Sequence, residues 1–221
     1  MQYPLLFTLF LNSVNLLAQS DITSGLTTFI QNTLEISEIV PSVSIAIVSD
    51  QDVLYQETIG YADWEQQKPA TNQSVYYIAS CTKAYNGLLA HILADEGKID
   101  LNAPILSYKP FKNFKRKEVF QNITVMDLLT HQSAIDNPYL SFRLAYTGAY
   151  THAEILRLIE EETQENEAGD PFEYTNFGYY LFDYLLREEL GKSWKDLLEE
   201  KLFEPLGMES TTAYASKVPV E

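Results

Sequence analysis

Ile78-Ala79-Ser80-Cys81-Thr82-Lys83 opens an apolar-striped segment that runs to Gly97, and its reading decides how the rest of the chain is understood. It sets a hydroxyl and an amine three residues apart at a helix start. Two readings are open. In one, Ser80 is an N-cap, a residue type favoured there because its oxygen accepts an unpaired backbone N–H, and Lys83 is a surface cation. The lysine fits that reading poorly, because a cation in the first turn faces the positive end of the helix dipole, where a capping box would carry Glu or Gln. In the other, positions i and i+3 share one helix face. The dipole and partial burial would then lower the lysine pKa, so that a neutral amine serves the hydroxyl as general base.

Within the segment, Cys81, Ala84, Tyr85, Leu88, Leu89, Ile92 and Leu93 recur at helical spacing and predict the buried stripe of a central helix that stops at Gly97. Cys81, the only cysteine, falls on that stripe and reads as a small buried residue rather than a nucleophile; alone it forms no internal disulfide. Upstream, Ile22, Leu26, Phe29, Ile30 and Leu34 predict an amphipathic helix. Val43, Ile45 and Ile47, the turn residues Asp50-Gln51-Asp52, and Val53 to Ile59 predict a hairpin. Gly60-Tyr61-Ala62-Asp63 is expected to leave the strand, with Trp64 to Ser74 a loop.

Downstream, Thr124-x-x-Asp127 and Thr151-x-x-Glu154 have capping-box spacing and start helices near Val125–Thr130 and His152–Glu162. Phe177 to Leu190 predicts a helix closed by Gly191. Ser193 caps a last one reaching about Phe203, ended by Pro205-Leu206-Gly207. The pattern is α+β. A lone hairpin is marginal, so the sheet needs more strands than are obvious here.

The 221 residues carry 15 basic against 31 acidic side chains, a net charge of −16, and the first basic residue is Lys68. Phosphate neutralisation needs clustered Lys or Arg, so a nucleic-acid partner is not expected, and Lys112 to Lys117 reads as a solvated loop. Glu160 to Glu167 likewise reads as a solvated helix end. Leu5 to Leu17 is apolar but broken by Asn12, Ser13 and Asn15, and Ala18-Gln19-Ser20 follows as a small-x-small pattern. Residues 1–20 are therefore expected to be a secretory signal peptide, although no Lys or Arg precedes the apolar run. The run is too short to span a membrane. Export to the periplasm or exterior is expected, with no membrane span after its removal. His91, His131 and His152 show no metal-ligand spacing, and no metal or cofactor is expected.

The context for Ser80 and Lys83 is Tyr174-Thr175-Asn176, directly before the helix at Phe177. In an extended approach, residues i and i+2 point the same way, which turns a phenol and a carboxamide toward one cleft. The alternative is a packing aromatic followed by an Asn N-cap.

At this point the chain resembles the serine β-lactamase and penicillin-binding superfamily, in its class C β-lactamase-like branch. The likeness rests on the hairpin, Gly60-Tyr61-Ala62-Asp63, Ile78-Ala79-Ser80-x-x-Lys83, Glu96-Gly97-Lys98-Ile99-Asp100-Leu101 and Asp127-Leu128-Leu129-Thr130-His131-Gln132-Ser133. It continues through Phe172-x-Tyr174-Thr175-Asn176-x-Gly178-Tyr179 and Glu204-Pro205-Leu206-Gly207-Met208. It implies a β-lactamase/transpeptidase-like fold, an antiparallel sheet with a helical region, and acyl transfer to a small-molecule or peptide-like substrate. Ser80 matches the family nucleophile, Lys83 its amine partner, Tyr174 the proton carrier and Asn176 the amide that positions substrate. His131 matches a landmark that is structural. The expected function is a serine hydrolase acting through an acyl-enzyme on an amide, ester or β-lactam. The alternative is a non-catalytic remnant or interaction module.

Two departures accompany the likeness. Ala134 follows Ser133 where the family has Gly, at a backbone turn. The family's third motif, Lys or His followed after one residue by Gly, lies on a later strand that supplies the second oxyanion N–H, and no such motif follows Met208. Residues 21–221 are thus expected to be the N-terminal portion of one catalytic domain, with its C-terminal strands missing. Oligomeric state is not legible.

Overall fold

The computed structural model describes residues 23, 25–37, 39–146, 150–165 and 172–218. The expected signal peptide, Ile22, and the end of the acidic run at 166–167 lie outside them. The chain divides into two compact units, the first ending at Tyr76 and the second beginning at Tyr77.

In the first unit, helix α1 covers residues 25–37. Ile30 is its buried residue, while Phe29, expected on the same stripe, is 67% exposed. Strands β1 (Ser42–Val48) and β2 (Val53–Asp63) pair antiparallel from Ser42 opposite Gly60 to Ile47 opposite Tyr55. Ser49 and Asp52 close the turn, with Asp52 N donating to Ser49 Oγ at 2.9 Å. α1 meets the ribbon where Thr27 Oγ1 and the buried Tyr55 hydroxyl lie 2.9 Å apart.

β2 does not end at Gly60 as expected. Gly60 has φ +102°, and a Cβ there would lie 2.2 Å from Pro41 O, so the glycine is needed for close approach. The strand turns at this point without stopping. It continues to Asp63 and pairs with β3 (Lys68–Pro69) inside the expected loop, giving the order β1-β2-β3.

The second unit holds the main core. A 3₁₀ turn, Ala79–Cys81, leads into α2 (Thr82–Asp95). The expected stripe is met in part: Leu89 and Leu93 are buried and Tyr85 and Ile92 pack against the core, but Asn86 and Ala90 are buried as well, Leu88 is 49% exposed, and Cys81 and Ala84 are exposed. The run is apolar around much of its circumference, so hydrophobicity alone left its phase undecided. Cys81 belongs to the preceding turn, where the angular step per residue is larger than in the helix. The buried-cysteine expectation is corrected accordingly. At the other end Gly97 is left-handed at φ +68°, with Gly97 N donating to Ala94 O and Lys98 N to Leu93 O, a Schellman closure.

Four short elements follow: α3 (Lys117–Phe120), α4 (Val125–Leu129), β4 (Ile135–Asp136) and α5 (Pro138–Tyr146). Then come α6 (His152–Glu162) and β5 (Gln164–Glu165), which pairs antiparallel with β4. α7 (Phe177–Leu190) and α8 (Trp194–Leu198) complete the helices, α8 running on as a π turn through Phe203. The boxes at Thr124/Asp127 and Thr151/Glu154 form as expected, as do the Ser193 cap and the left-handed Gly191 at the end of α7.

Phe111, Phe120, Phe177, Phe182, Leu181 and Leu185 are among the core residues gathered with Leu89 and Leu93. α7 reaches α4 at Gly178, where a Cβ would stand 2.4 Å from Leu128 O. This approach brings the residues just before α7 level with the loop after α4. Among the described residues no helix is long and apolar enough to cross a membrane.

Candidate active site

The backbone that presents Ser80 is strained. Ala79 has φ +45°, a left-handed conformation that L residues with a side chain avoid. Cys81 N closes the turn on Ile78 O at 3.0 Å. Ser80 is exposed and its side chain caps nothing. Lys83, half-buried in the first turn of α2, is not a solvated cation: Nζ donates to Ser80 Oγ at 3.0 Å and to Asn176 Oδ1 at 2.7 Å. Of the two readings of this stretch, the cap with a surface lysine is excluded by these contacts.

Asn176 does not cap α7 with its side chain. Thr175 does that work, its Oγ1 accepting from Phe177 N at 3.1 Å while donating to Asp136 Oδ1 at 2.6 Å. The Asn176 amide is left for the cleft. With Oδ1 engaged by Lys83, its NH₂ group is free to donate elsewhere.

Tyr174 is 57% exposed, its ring beneath Lys83 Nζ at 4.8 Å from the centroid. Hydrogen bonding to Lys83 first, and then to Ser80, holds its phenol below the ordinary tyrosine range. The Tyr174 ring also lies against another ring, that of His131, so it has a packing contact as well as a hydroxyl turned to Lys83 and Ser80. An exposed hydroxyl, an amine, an ionisation-prone phenol and a carboxamide meet at one place. Such a set can move a proton from a hydroxyl to a leaving group while orienting a carbonyl compound.

His131 sits behind this group. Its backbone is left-handed at φ +62°, its carbonyl accepts from Glu173 N at 2.9 Å, and its Nδ1 accepts from Thr175 N at 3.3 Å. Its ring lies 4.5 Å from that of Tyr174 and 5.6 Å from that of Tyr179, whose hydroxyl donates to Leu129 O at 2.9 Å. Ala134 keeps the turn expected of glycine, at φ +52°.

Thr175, Asp136 and the role of Gly178 were missed from sequence. A glycine in the first turn of a helix, where it costs about 1 kcal/mol against Ala, is the signal that was present for Gly178. Nothing local marks the Thr175–Asp136 pair. An open groove lined by His91, Asp100, Tyr108 and Lys112 near the other end of α2 contains none of the four residues. Among the described residues, no group of three His, Cys, Asp or Glu side chains is placed to hold a metal.

A sequence model of the beta-lactamase family matches residues 27–219. Protein flp of Staphylococcus aureus (strain MW2) is 28% identical over 193 residues, 87% of this chain and 39% of that protein. D-amino acid amidase from Ochrobactrum anthropi SV3, solved with L-phenylalanine, superposes with a TM-score of 0.65 at 28% identity, covering 82% of this chain and 50% of that one. A class C beta-lactamase in complex with cefoxitin shares the fold at a TM-score of 0.73 and 21% identity, covering 92% of this chain and 53% of that one. The chain thus spans about half or less of the length of these proteins.

Proposed function

Because the chain belongs to the beta-lactamase family and has its α+β, transpeptidase-like fold, we propose that it forms the nucleophile-bearing part of a serine hydrolase that works through an acyl-enzyme on Ser80. The observation that carries this reading is the bridge made by Lys83 Nζ, 3.0 Å from Ser80 Oγ and 2.7 Å from Asn176 Oδ1.

Each residue then has a role. Ser80 Oγ attacks the carbonyl carbon of an amide, ester or β-lactam. Tyr174, eased toward phenolate by Lys83, takes the Ser80 proton and passes it to the departing nitrogen or oxygen as the C–N or C–O bond breaks. Lys83 holds Ser80, Tyr174 and Asn176 in one electrostatic unit, and the Asn176 NH₂ orients the substrate. Water then attacks the acyl-enzyme, a proton leaves it by the same route, and Ser80 is restored. Substrates of this range agree with the neighbours, one named an amidase of D-amino acids and one a beta-lactamase. Export rests on the apolar run Leu5 to Leu17 and the small-x-small pattern after it.

Labelling of purified protein with a fluorophosphonate or a fluorescent penicillin tests this reading. The expected result is one label on Ser80, abolished in Ser80→Ala. A failure to label, while a longer relative is labelled under the same conditions, would make this chain a non-catalytic module.

A further inference from the structure

We infer that His131 is a positioning residue whose neutral imidazole clamps the Tyr174–Asn176 segment against Lys83, so that protonating it loosens the clamp and disengages Tyr174. The kinetic side of this inference rests on the serine hydrolase reading; the structural side does not.

Three contacts tie His131 to three successive residues. Its carbonyl takes the Glu173 N–H, its ring lies along the Tyr174 ring, and Nδ1 takes the Thr175 N–H. Thr175 is held from its other side by Asp136, and Asn176 follows directly. The segment therefore approaches Lys83 as a strip fixed along one edge. The backbone at His131 is left-handed, a conformation in which His, like Asn and Asp, is found more often than other non-glycine residues. A residue with three contacts to one strip acts through that strip.

The clamp needs a bare Nδ1. An imidazole protonated on both nitrogens is a donor at each and cannot accept the Thr175 N–H. The titratable and charged groups facing it are Lys83 from α2, Tyr174 from the strip and Tyr179 from α7, with Asp136 beyond Thr175. A second cation beside Lys83 would repel it, while Tyr174 and Tyr179 are uncharged when protonated. Burial, and then the Lys83 charge, holds the imidazole below its ordinary range. The neutral form thus persists at neutral pH and is lost on the acid side of the usual histidine titration.

The test compares wild type with His131→Asn, which keeps an acceptor and suits the left-handed backbone but does not titrate, and with His131→Phe, which keeps a ring without an acceptor. NMR follows the imidazole ¹⁵N shifts of His131, the Thr175 amide and the ¹³Cζ of Tyr174 through acid pH. In wild type the Thr175 and Tyr174 signals should step together with the His131 titration. In His131→Asn the step should vanish, and in His131→Phe the Thr175 amide should exchange roughly tenfold faster, as for one lost hydrogen bond. Fluorophosphonate labelling of Ser80 should fall more steeply with acid in wild type than in His131→Asn, which keeps only the pH dependence of the phenol, and be slower by about tenfold at every pH in His131→Phe. The inference is overturned if the Tyr174 signals ignore the His131 titration, or if His131→Asn keeps the wild-type step. If no variant labels at any pH, the hydrolase reading fails, and the resonances still decide the role of His131.

Discussion

Lys83 Nζ donates to Asn176 Oδ1 over 2.7 Å, joining residues 93 positions apart in the chain. The cluster is therefore a tertiary contact between the start of α2 and the approach to α7. Its members should fail together when that contact is cut, because the same ammonium also reaches Ser80 and Tyr174.

Removing the amine separates chemistry from folding. Lys83→Met keeps the length of the side chain and deletes the donor. The rate of Ser80 acylation should fall by about 10²–10⁴-fold, the usual contribution of a positioned proton-transfer group. The Tyr174 phenol, held low chiefly by Lys83, should titrate at higher pH in the variant. Tyrosinate absorbance, compared with Tyr174→Phe, reads this shift at the phenol's alkaline transition. An unchanged transition would show that Lys83 does not set the phenol.

Gly178 should matter to the site without touching it. Its missing Cβ leaves room for Leu128 O, a backbone atom that cannot rotate away. Gly178→Ala forces α7 off α4 and should cost about 1–3 kcal/mol, the range for overpacking a fitted contact. Because Asn176 and Thr175 ride on the same end of α7, Ser80 labelling should slow in the fraction that remains folded. Urea denaturation midpoints and labelling rates, measured on the same samples, check both effects.

Ala134 stands in a left-handed turn where its Cβ is unwelcome. That conformation costs a non-glycine residue roughly 1–2 kcal/mol, and the greater freedom of unfolded glycine returns about 0.5–1 kcal/mol of any gain. Ala134→Gly should therefore stabilise the protein by about 0.5–1 kcal/mol, visible as a higher denaturation midpoint at unchanged slope. Ala134→Val should move the midpoint the other way.

These cases mark where the sequence could be read and where it could not. Thr124/Asp127, Thr151/Glu154, Ser193 and Gly191 act within a few residues, so their spacing was sufficient. The buried face of α2 was legible only in part, Leu89 and Leu93 rightly and Asn86 not at all, because apolar residues surround much of the helix and packing chose among them. β3 was missed because two residues pair only after Gly60 redirects β2. In the site, Ser80 with Lys83 and Tyr174 with Asn176 showed themselves as short-range pairs. Their union depended on a contact between distant segments, and so did the bond from Thr175 to Asp136.

The cap of α8 gives the protein an acid-sensitive element away from the site. Asp196 accepts from Ser193 and from Tyr214 Oη, and these bonds, Ser193 first, lower its carboxyl to about 2. An unfolded aspartate titrates near about 3.9, so the folded state favours the ionised form. The stabilisation is fully present above that value and is lost as pH falls toward about 2. Asp196 is exposed, and solvent screening reduces the effect below what the shift alone implies. Ser193, by contrast, is 3% exposed, so its cap bonds are sheltered. The thermal midpoint of wild type should drop between about pH 4 and pH 2 by more than that of Asp196→Asn, which begins lower at neutral pH. Equal slopes in the two proteins would mean that the acid sensitivity arises at other carboxylates.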